Sequence, residues 1–262
     1  MNAIRDFYAA NGYWIARGVF SPAEVLALEQ DFDRVVAQLQ RSNEATTGLT
    51  QGARWRGPEM DRLRAAGTVV LHTHNVQQYS AAWLGAIQQP AFLAVAEAML
   101  GPDIVLHHTK LFQKPAENGA PFPVHQDWSY FPTERDSMLA AIIHVSAATD
   151  AMGCLRVYPG SHALGRVPHT SAQKPNELLA RHPLEGATPL EAAPGAVVFI
   201  SHLLLHGSRP NRSSEARKTV LVQMHAGDDM VSADAPPHPN ENLVLRGWNH
   251  RTTRARANAS RS

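Results

Sequence analysis

Cysteine is almost missing: Cys154 is the only one in 262 residues. A lone thiol excludes an intrachain disulfide and any zinc site built from clustered cysteines. An excess of one charge is missing too. The 24 lysines and arginines against 23 aspartates and glutamates leave a net charge of +1, so no global field recruits nucleic acid or a membrane surface. No apolar run is long enough to span a bilayer, and no secretory leader is recognisable, so the expectation is a soluble cytoplasmic protein. Internal repeats and low-complexity segments are also lacking. What is there is 44% hydrophobic residues, enough for the full core of one large domain or two small ones.

In chain order, residues 6–12 predict a short helix ending near Gly12, followed by a strand over Tyr13–Val19. Ser21-Pro22-Ala23-Glu24 is a helix start: Ser21 caps, Pro22 suits the first turn and Glu24 completes a capping box. Val25, Leu28, Phe32, Val35, Val36 and Leu39 keep helical spacing to about Gln40. Arg41–Ala66 is polar and aperiodic, a long loop that suits either a lid or disorder. Strands are expected over residues 69–76, 105–113, 137–146, 154–158, 196–201, 203–208 and 218–225, with a helix over Pro90–Leu100 closed by Gly101. Beyond Asp228 the chain is rich in Pro and Asn, then basic, which suits a solvated, partly frayed terminus. Helices followed by many short strands with Pro/Gly turns argue a β-sandwich or barrel, and a jelly roll suits the pattern.

The chemistry is organised around Val124-His125-Gln126-Asp127-Trp128. In an extended strand, i and i+2 share a face about 6–7 Å apart. His125 and Asp127 at that spacing can grip one metal ion, and a second histidine completes the two-histidine, one-carboxylate triad of non-haem Fe(II) oxygenases. Taken alone, the three letters fit ordinary strand hydrogen bonds better. Downstream, His202 and His206 differ by four and would face the same way in a continuous strand, so either fits as third ligand. The turn residues after His206 put it near a strand end. Eleven residues on, Arg217 heads a strand whose Arg217, Thr219, Leu221 and Gln223 share a face. Its planar fork suits a buried carboxylate, although most arginines lie at the surface.

His125-Gln126-Asp127 with Tyr130-Phe131-Pro132, Gly153-Cys154-Leu155 with Pro159-Gly160-Ser161-His162, Pro194-Gly195, and His206-Gly207-Ser208 with Pro210-Asn211 and Arg217 together resemble the phytanoyl-CoA dioxygenase family. Phe7-Tyr8, Gly12-Tyr13 and Gly18-Val19-Phe20-Ser21 resemble its N-terminal region, so the likeness covers roughly residues 4–226. The resemblance implies a mainly β fold: a double-stranded β-helix (jelly roll, cupin-like) with flanking N-terminal α-helices. It implies a single dioxygenase domain over 1–262, with a helical layer about 1–101, a jelly-roll core about 102–226 and a tail 227–262.

It further implies Fe(II), 2-oxoglutarate and O2, with His125, Asp127 and His206 on the metal and Arg217 on the cosubstrate's distal carboxylate. His108 and Thr219 are added as cosubstrate neighbours, and Trp128, Tyr130, Phe131 and Lys110 as substrate-facing residues. Asp127 stands where halogenating relatives carry a small residue, which disfavours halogenation. The expected activity is hydroxylation of an unactivated carbon of a small molecule. Desaturation, cyclisation or epimerisation with the same cofactors is one alternative, and a non-catalytic cupin-like metal-binding or sensing protein is another.

Overall fold

The computed structural model describes residues 2–41, 71–168, 177–233, 235 and 242–255. Local chemistry sets the first elements. Helix α1 (Asn2–Asn11) leads through Gly12, at φ +77°, into strand β1 (Tyr13–Ala16). Helix α2 (Pro22–Arg41) opens on the expected capping box. Ser21 N and Oγ each lie 2.7 Å from Glu24 Oε2, and Glu24 N donates back to Ser21 Oγ at 3.3 Å. One face of α2 buries Val25, Leu28, Phe32, Val35 and Leu39. The remaining elements are β2 (Leu71–His74), α3 (Ala81–Ala86), α4 (Pro90–Leu100), β3 (Ile104–Lys114), β4 (Phe122–His125), β5 (Leu139–His144), β6 (Leu155–Val157), α5 (Glu177–Ala180), β7 (Thr188–Leu190), β8 (Val197–Ser201), β9 (His206–Ser208), β10 (Arg217–Ala226) and β11 (Leu243–Arg246).

Among the described residues these strands form two antiparallel sheets. The larger runs β1-β8-β5-β10-β3-β11, with β2 also on β3, and the smaller runs β4-β9-β6-β7. Side-chain alternation splits the core in two. Val220, Val222 and Met224 of β10, with Phe199 and Ile143, pack against Phe32, Trp83 and Phe92 of the helices. On the opposite face Ala140, Val198, Ile200 and Leu221 meet Val157 and Leu190 of the smaller sheet. This is the mainly β jelly roll with N-terminal helices that the sequence pattern implies. Among the described residues no helix is long and apolar enough to cross a membrane.

Three expectations change. The C-terminal segment is not simply a frayed tail: β11 pairs with the start of β3, Leu245 is buried, and Arg246 pairs with Glu97 at 2.8 Å. Its apolar stretch, Leu243-Val244-Leu245, is too short to read as a strand without its partner. Helix α3, capped by Ser80 through Trp83 N, and the short strand β7 lacked a periodic signal of their own. Alternation along β3 breaks at His107, because a register shift sets His108 opposite Gln223 and Leu106 opposite Met224. The Arg41–Ala66 loop lies, beyond Arg41, outside the described residues.

Candidate metal centre

Strands β4 and β9 pair so that His125 stands directly across from His206. Their ring centroids are 4.2 Å apart. The chain stays extended through Gln126, then turns into a short 3-10 segment over Asp127–Ser129. Asp127 is therefore not the next residue of a strand; it heads a turn that brings its carboxylate back toward the two rings. Asp127 Oδ1 lies 3.4 Å from His125 Nε2 and 3.6 Å from His206 Nε2. One ligand atom from each residue falls within 4.8 Å of the others, and all three residues are buried. Donors held at right angles about 2.1 Å from one ion stand roughly 3.0 Å apart, so a small inward movement closes the set.

The rings are oriented for this. His125 Nδ1 lies 2.8 Å from Pro123 O, and His206 Nδ1 lies 2.9 Å from Leu204 O. A carbonyl can only accept, so each Nδ1 carries the proton and each Nε2 presents a lone pair, the usual support for a metal-bound imidazole. Burial lowers the His206 pKa to about 4, assisted by His125 and opposed by Asp127, which keeps the ring neutral. For Asp127 burial acts upward, but His206, His125 and the Gln223 amide outweigh it and hold the carboxyl below its ordinary range. A neutral His206 imidazole and an ionised Asp127 are the states a metal needs of these two ligands.

His202 is not part of the cluster. Strand β8 ends at Ser201 and the chain turns over 202–205 before β9 begins. The four-residue spacing therefore does not run along one strand. His202 is fully buried with Nε2 3.2 Å from Asp136 Oδ1.

The inner face of the larger sheet supplies the rest of the site. Gln223, at the metal end, donates from Nε2 to Asp127 Oδ2 at 2.9 Å. Arg217, at the other end, is buried and donates to Gly153 O, while its Nε has no partner. Burial brings its pKa down to about 10, so it remains charged at neutral pH. Among the described residues no carboxylate pairs with it. Thr219 lies between them, buried, across from Phe112 on one side and His144 on the other.

The other sequence candidates divide. His108 is fully buried across from Gln223, with Nδ1 2.6 Å from His107 Nδ1 and its ring 4.8 Å from Phe131. Tyr130 lies 6.2 Å from His125, ring to ring. Trp128 turns away to donate from Nε1 to Val167 O at 3.1 Å, with Arg166 over its ring. Lys110 stands across from Leu221 on the inner face, its Nζ 4.5 Å from the centre of the Phe112 ring. Burial lowers its pKa to about 8 against the pull of Asp127. His72 and His74, paired across from Phe112 and Lys110, join this inner wall and not the metal cluster.

Sequence reasoning missed Lys114, which is fully buried and directly across from Arg217. Its phase was visible, since it continues the alternation of His108, Lys110 and Phe112. It also missed the bond from Gln223 to Asp127, a contact across 96 residues.

A sequence profile for the family described as phytanoyl-CoA dioxygenase matches residues 8–219. A probable phytanoyl-CoA dioxygenase of Caenorhabditis elegans is 27% identical over 240 residues, covering 86% of this chain and 75% of the relative. A probable alpha-ketoglutarate-dependent hypophosphite dioxygenase of Stutzerimonas stutzeri is 26% identical over 231 residues, covering 84% and 77%. Among solved structures, the epimerase SnoN in complex with Fe3+, alpha ketoglutarate and nogalamycin RO superposes with a TM-score of 0.71 at 19% identity, over 94% of this chain and 98% of that one. At that identity the likeness is one of fold. With the profile running through the ligand cluster and most of the chain, this protein belongs to the phytanoyl-CoA dioxygenase family.

Proposed function

We propose that the protein is an Fe(II)- and 2-oxoglutarate-dependent dioxygenase that hydroxylates an unactivated carbon of a small molecule. One observation carries this reading. The same barrel interior holds a buried two-histidine, one-carboxylate cluster and a buried guanidinium that no described carboxylate neutralises. A plain metal-binding or sensing protein has no use for the second feature. Buried charges are ordinarily paired, and an incoming carboxylate is the partner a guanidinium fork fits best.

His125, Asp127 and His206 would hold iron, with Gln223 orienting the carboxylate. Arg217 would receive the distal carboxylate of 2-oxoglutarate, with Thr219 and His108 lining its path. Bound iron and cosubstrate supply oxidative decarboxylation to succinate and CO2, coupled to activation of O2. The chain's own share is to fix the ligands, keep them deprotonated and exclude water. Asp127 fills the carboxylate position, which leaves no room there for a halide. Tyr130, whose ring lies 6.2 Å from that of His125, and Phe131, whose amide donates to Asp127 O, suit the substrate, as do Lys110 on the inner face and Trp128 beside Asp127 in sequence. The reading includes a cytoplasmic enzyme; the lone, buried Cys154 suits a reducing compartment.

The test is anaerobic titration of the Fe(II) protein with 2-oxoglutarate, followed by its metal-to-ligand charge-transfer band, then succinate release on admitting air with candidate substrates. A band and succinate are expected. Metal binding without either would leave the binding-protein alternative.

A further inference from the structure

We propose that the substrate is an anion, a small molecule whose carboxylate or phosphonate group pairs with Lys110. The inference deepens the dioxygenase reading above and rests on it. Lys110 sits on β3 across from His74 of β2 on one flank and Leu221 of β10 on the other. His72 stands across from Phe112, one row further along. Antiparallel partners share a face, so these five residues form one patch on the inner face of the larger sheet. The patch is open where the rest of that face is closed. All five are half-buried, whereas His108, Lys114, Thr219 and Gln223 around them are buried. Half-buried side chains on the inside of a barrel line a chamber; they do not fill a core.

Lys110 is a charge on that wall without a partner. Its Nζ lies 4.5 Å from the centre of the Phe112 ring, and among the described residues no hydrogen bond or carboxylate meets the ammonium. The ring face attracts a cation but brings no charge to neutralise it. Burial lowers the Lys110 pKa to about 8 and Asp127 pulls the other way, so the group is mostly charged at pH 7. Burial, then Lys110, lowers His72 to about 4, so that ring is neutral and leaves Lys110 as the cation of the two. A desolvated charge without a counter-ion is costly, and a bound anion offsets the cost.

The other anions of the loaded site are committed elsewhere. Asp127 Oδ2 accepts from Gln223, and Oδ1 faces the imidazoles where iron would sit. The cosubstrate would lie along β10, between the metal end at Gln223 and the far end at Arg217. Lys110 stands on the neighbouring strand, to one side of that line. The anion left for it is the substrate's. Two competing roles exist: Lys110 acts on Asp127 from a distance, or it shares the cosubstrate. The first predicts a loss of metal affinity and the second a loss of 2-oxoglutarate affinity. Neither predicts a preference for one substrate charge over another.

The experiment uses protein loaded with Mn(II) and saturating 2-oxoglutarate. Two matched pairs of probes are titrated in: butyrate against butyramide, and propylphosphonate against its neutral dimethyl ester. Relaxation of probe protons by Mn(II) reports binding near the metal and not at the outer surface. Wild type is expected to prefer the anion of at least one pair by about ten- to a hundredfold, the range for one hydrogen bond to a charged group. Lys110→Met should erase the preference, and Lys110→Arg, which keeps the charge, should retain it. The pair with the larger preference tells a carboxylate substrate from a phosphonate. If Lys110→Met does not fold, Lys110→Gln is put through the same comparison. No preference in wild type, no binding of either anion, or a preference that survives Lys110→Met overturns the proposal; in the last case the anion is held by the metal. A Lys110→Met protein that loses more affinity for Mn(II), or for 2-oxoglutarate in the Fe(II) titration above, than for the anion overturns it in favour of a competing role. A wild-type protein that takes up no metal or no 2-oxoglutarate sinks the dioxygenase reading; one that takes up both and shows no preference sinks this inference alone.

Discussion

Gln223 Nε2 stands 2.9 Å from Asp127 Oδ2, so the strand that carries Arg217 also holds the carboxylate of the metal cluster. The other oxygen, Oδ1, is the one turned toward His125 and His206. With Oδ2 engaged by Gln223, Oδ1 is the oxygen left facing the two imidazoles. Gln223 ties the turn after β4 to the larger sheet, and the seven residues Arg217–Gln223 of β10 run between the two ends of the proposed cosubstrate site.

Gln223→Leu should keep the volume roughly and remove that bond. Loss of such outer support typically costs ten- to a hundredfold in metal affinity. Calorimetric titration with Mn(II) as a stable stand-in checks this. An unaltered dissociation constant would mean that the turn over Asp127–Ser129 alone positions the carboxylate.

His125→Ala, Asp127→Ala and His206→Ala should each abolish tight divalent-metal binding, while His202→Ala preserves it. His202 is fully buried on Asp136, so its loss should appear instead as roughly 1–3 kcal/mol of stability. Metal titration and thermal melts of the four variants separate the roles. Metal binding that survives in His206→Ala and fails in His202→Ala would mean the wrong histidine has been assigned.

Arg217→Ala should cost about 3–6 kcal/mol of 2-oxoglutarate binding, two charge-assisted bonds at roughly 1.5–3 kcal/mol each before relaxation. That is on the order of a hundred- to ten-thousandfold in affinity. Chelation at iron survives, so binding weakens without vanishing, and Arg217→Lys falls between because it loses the planar fork. A variant that titrates like wild type removes the clamp assignment.

The metal-free protein should lose stability as pH falls. Burial, with His125, lowers His206 to about 4, and burial, with Arg217, lowers His144 to about 3. Unfolded, both titrate near 6.5. Between about pH 6.5 and 4 the unfolded chain binds protons that the folded chain refuses, so stability rises with pH across that window and is lost on acidification. Each group contributes a slope of about 1.4 kcal/mol per pH unit there. Melting temperature at pH 5 should lie below that at pH 7, and His144→Leu should flatten the dependence. Identical slopes for wild type and His144→Leu would show that His144 is protonated in the folded state.

Leu245→Ala tests the C-terminal strand. Leu245 belongs to the core between the larger sheet and the helices. Its truncation should cost about 2–5 kcal/mol, measured by denaturant unfolding. A cost within about 0.5 kcal/mol would return β11 to a loosely attached tail.

By itself the sequence determined what acts over a few residues. The capping box at Ser21 and Glu24, the helical stripe of α2, the alternation of β10 and the H-x-D pair all express dihedral preference and side-chain periodicity, which depend on near neighbours. Spacing and resemblance pointed to His125, Asp127, His206 and Arg217. Spacing alone left both His202 and His206 open, because only the reversal after Ser201 shows that they do not share a strand. It left Asp127 on a strand, where the fold puts it on a turn held by Gln223. It hid the pairing of Lys114 with Arg217 and of β11 with β3, each joining residues about a hundred or more apart. Such pairings have no local signature. They form because closing the sheets buries apolar faces on both sides, and that burial free energy is a property of the whole packed chain, not of any stretch within it.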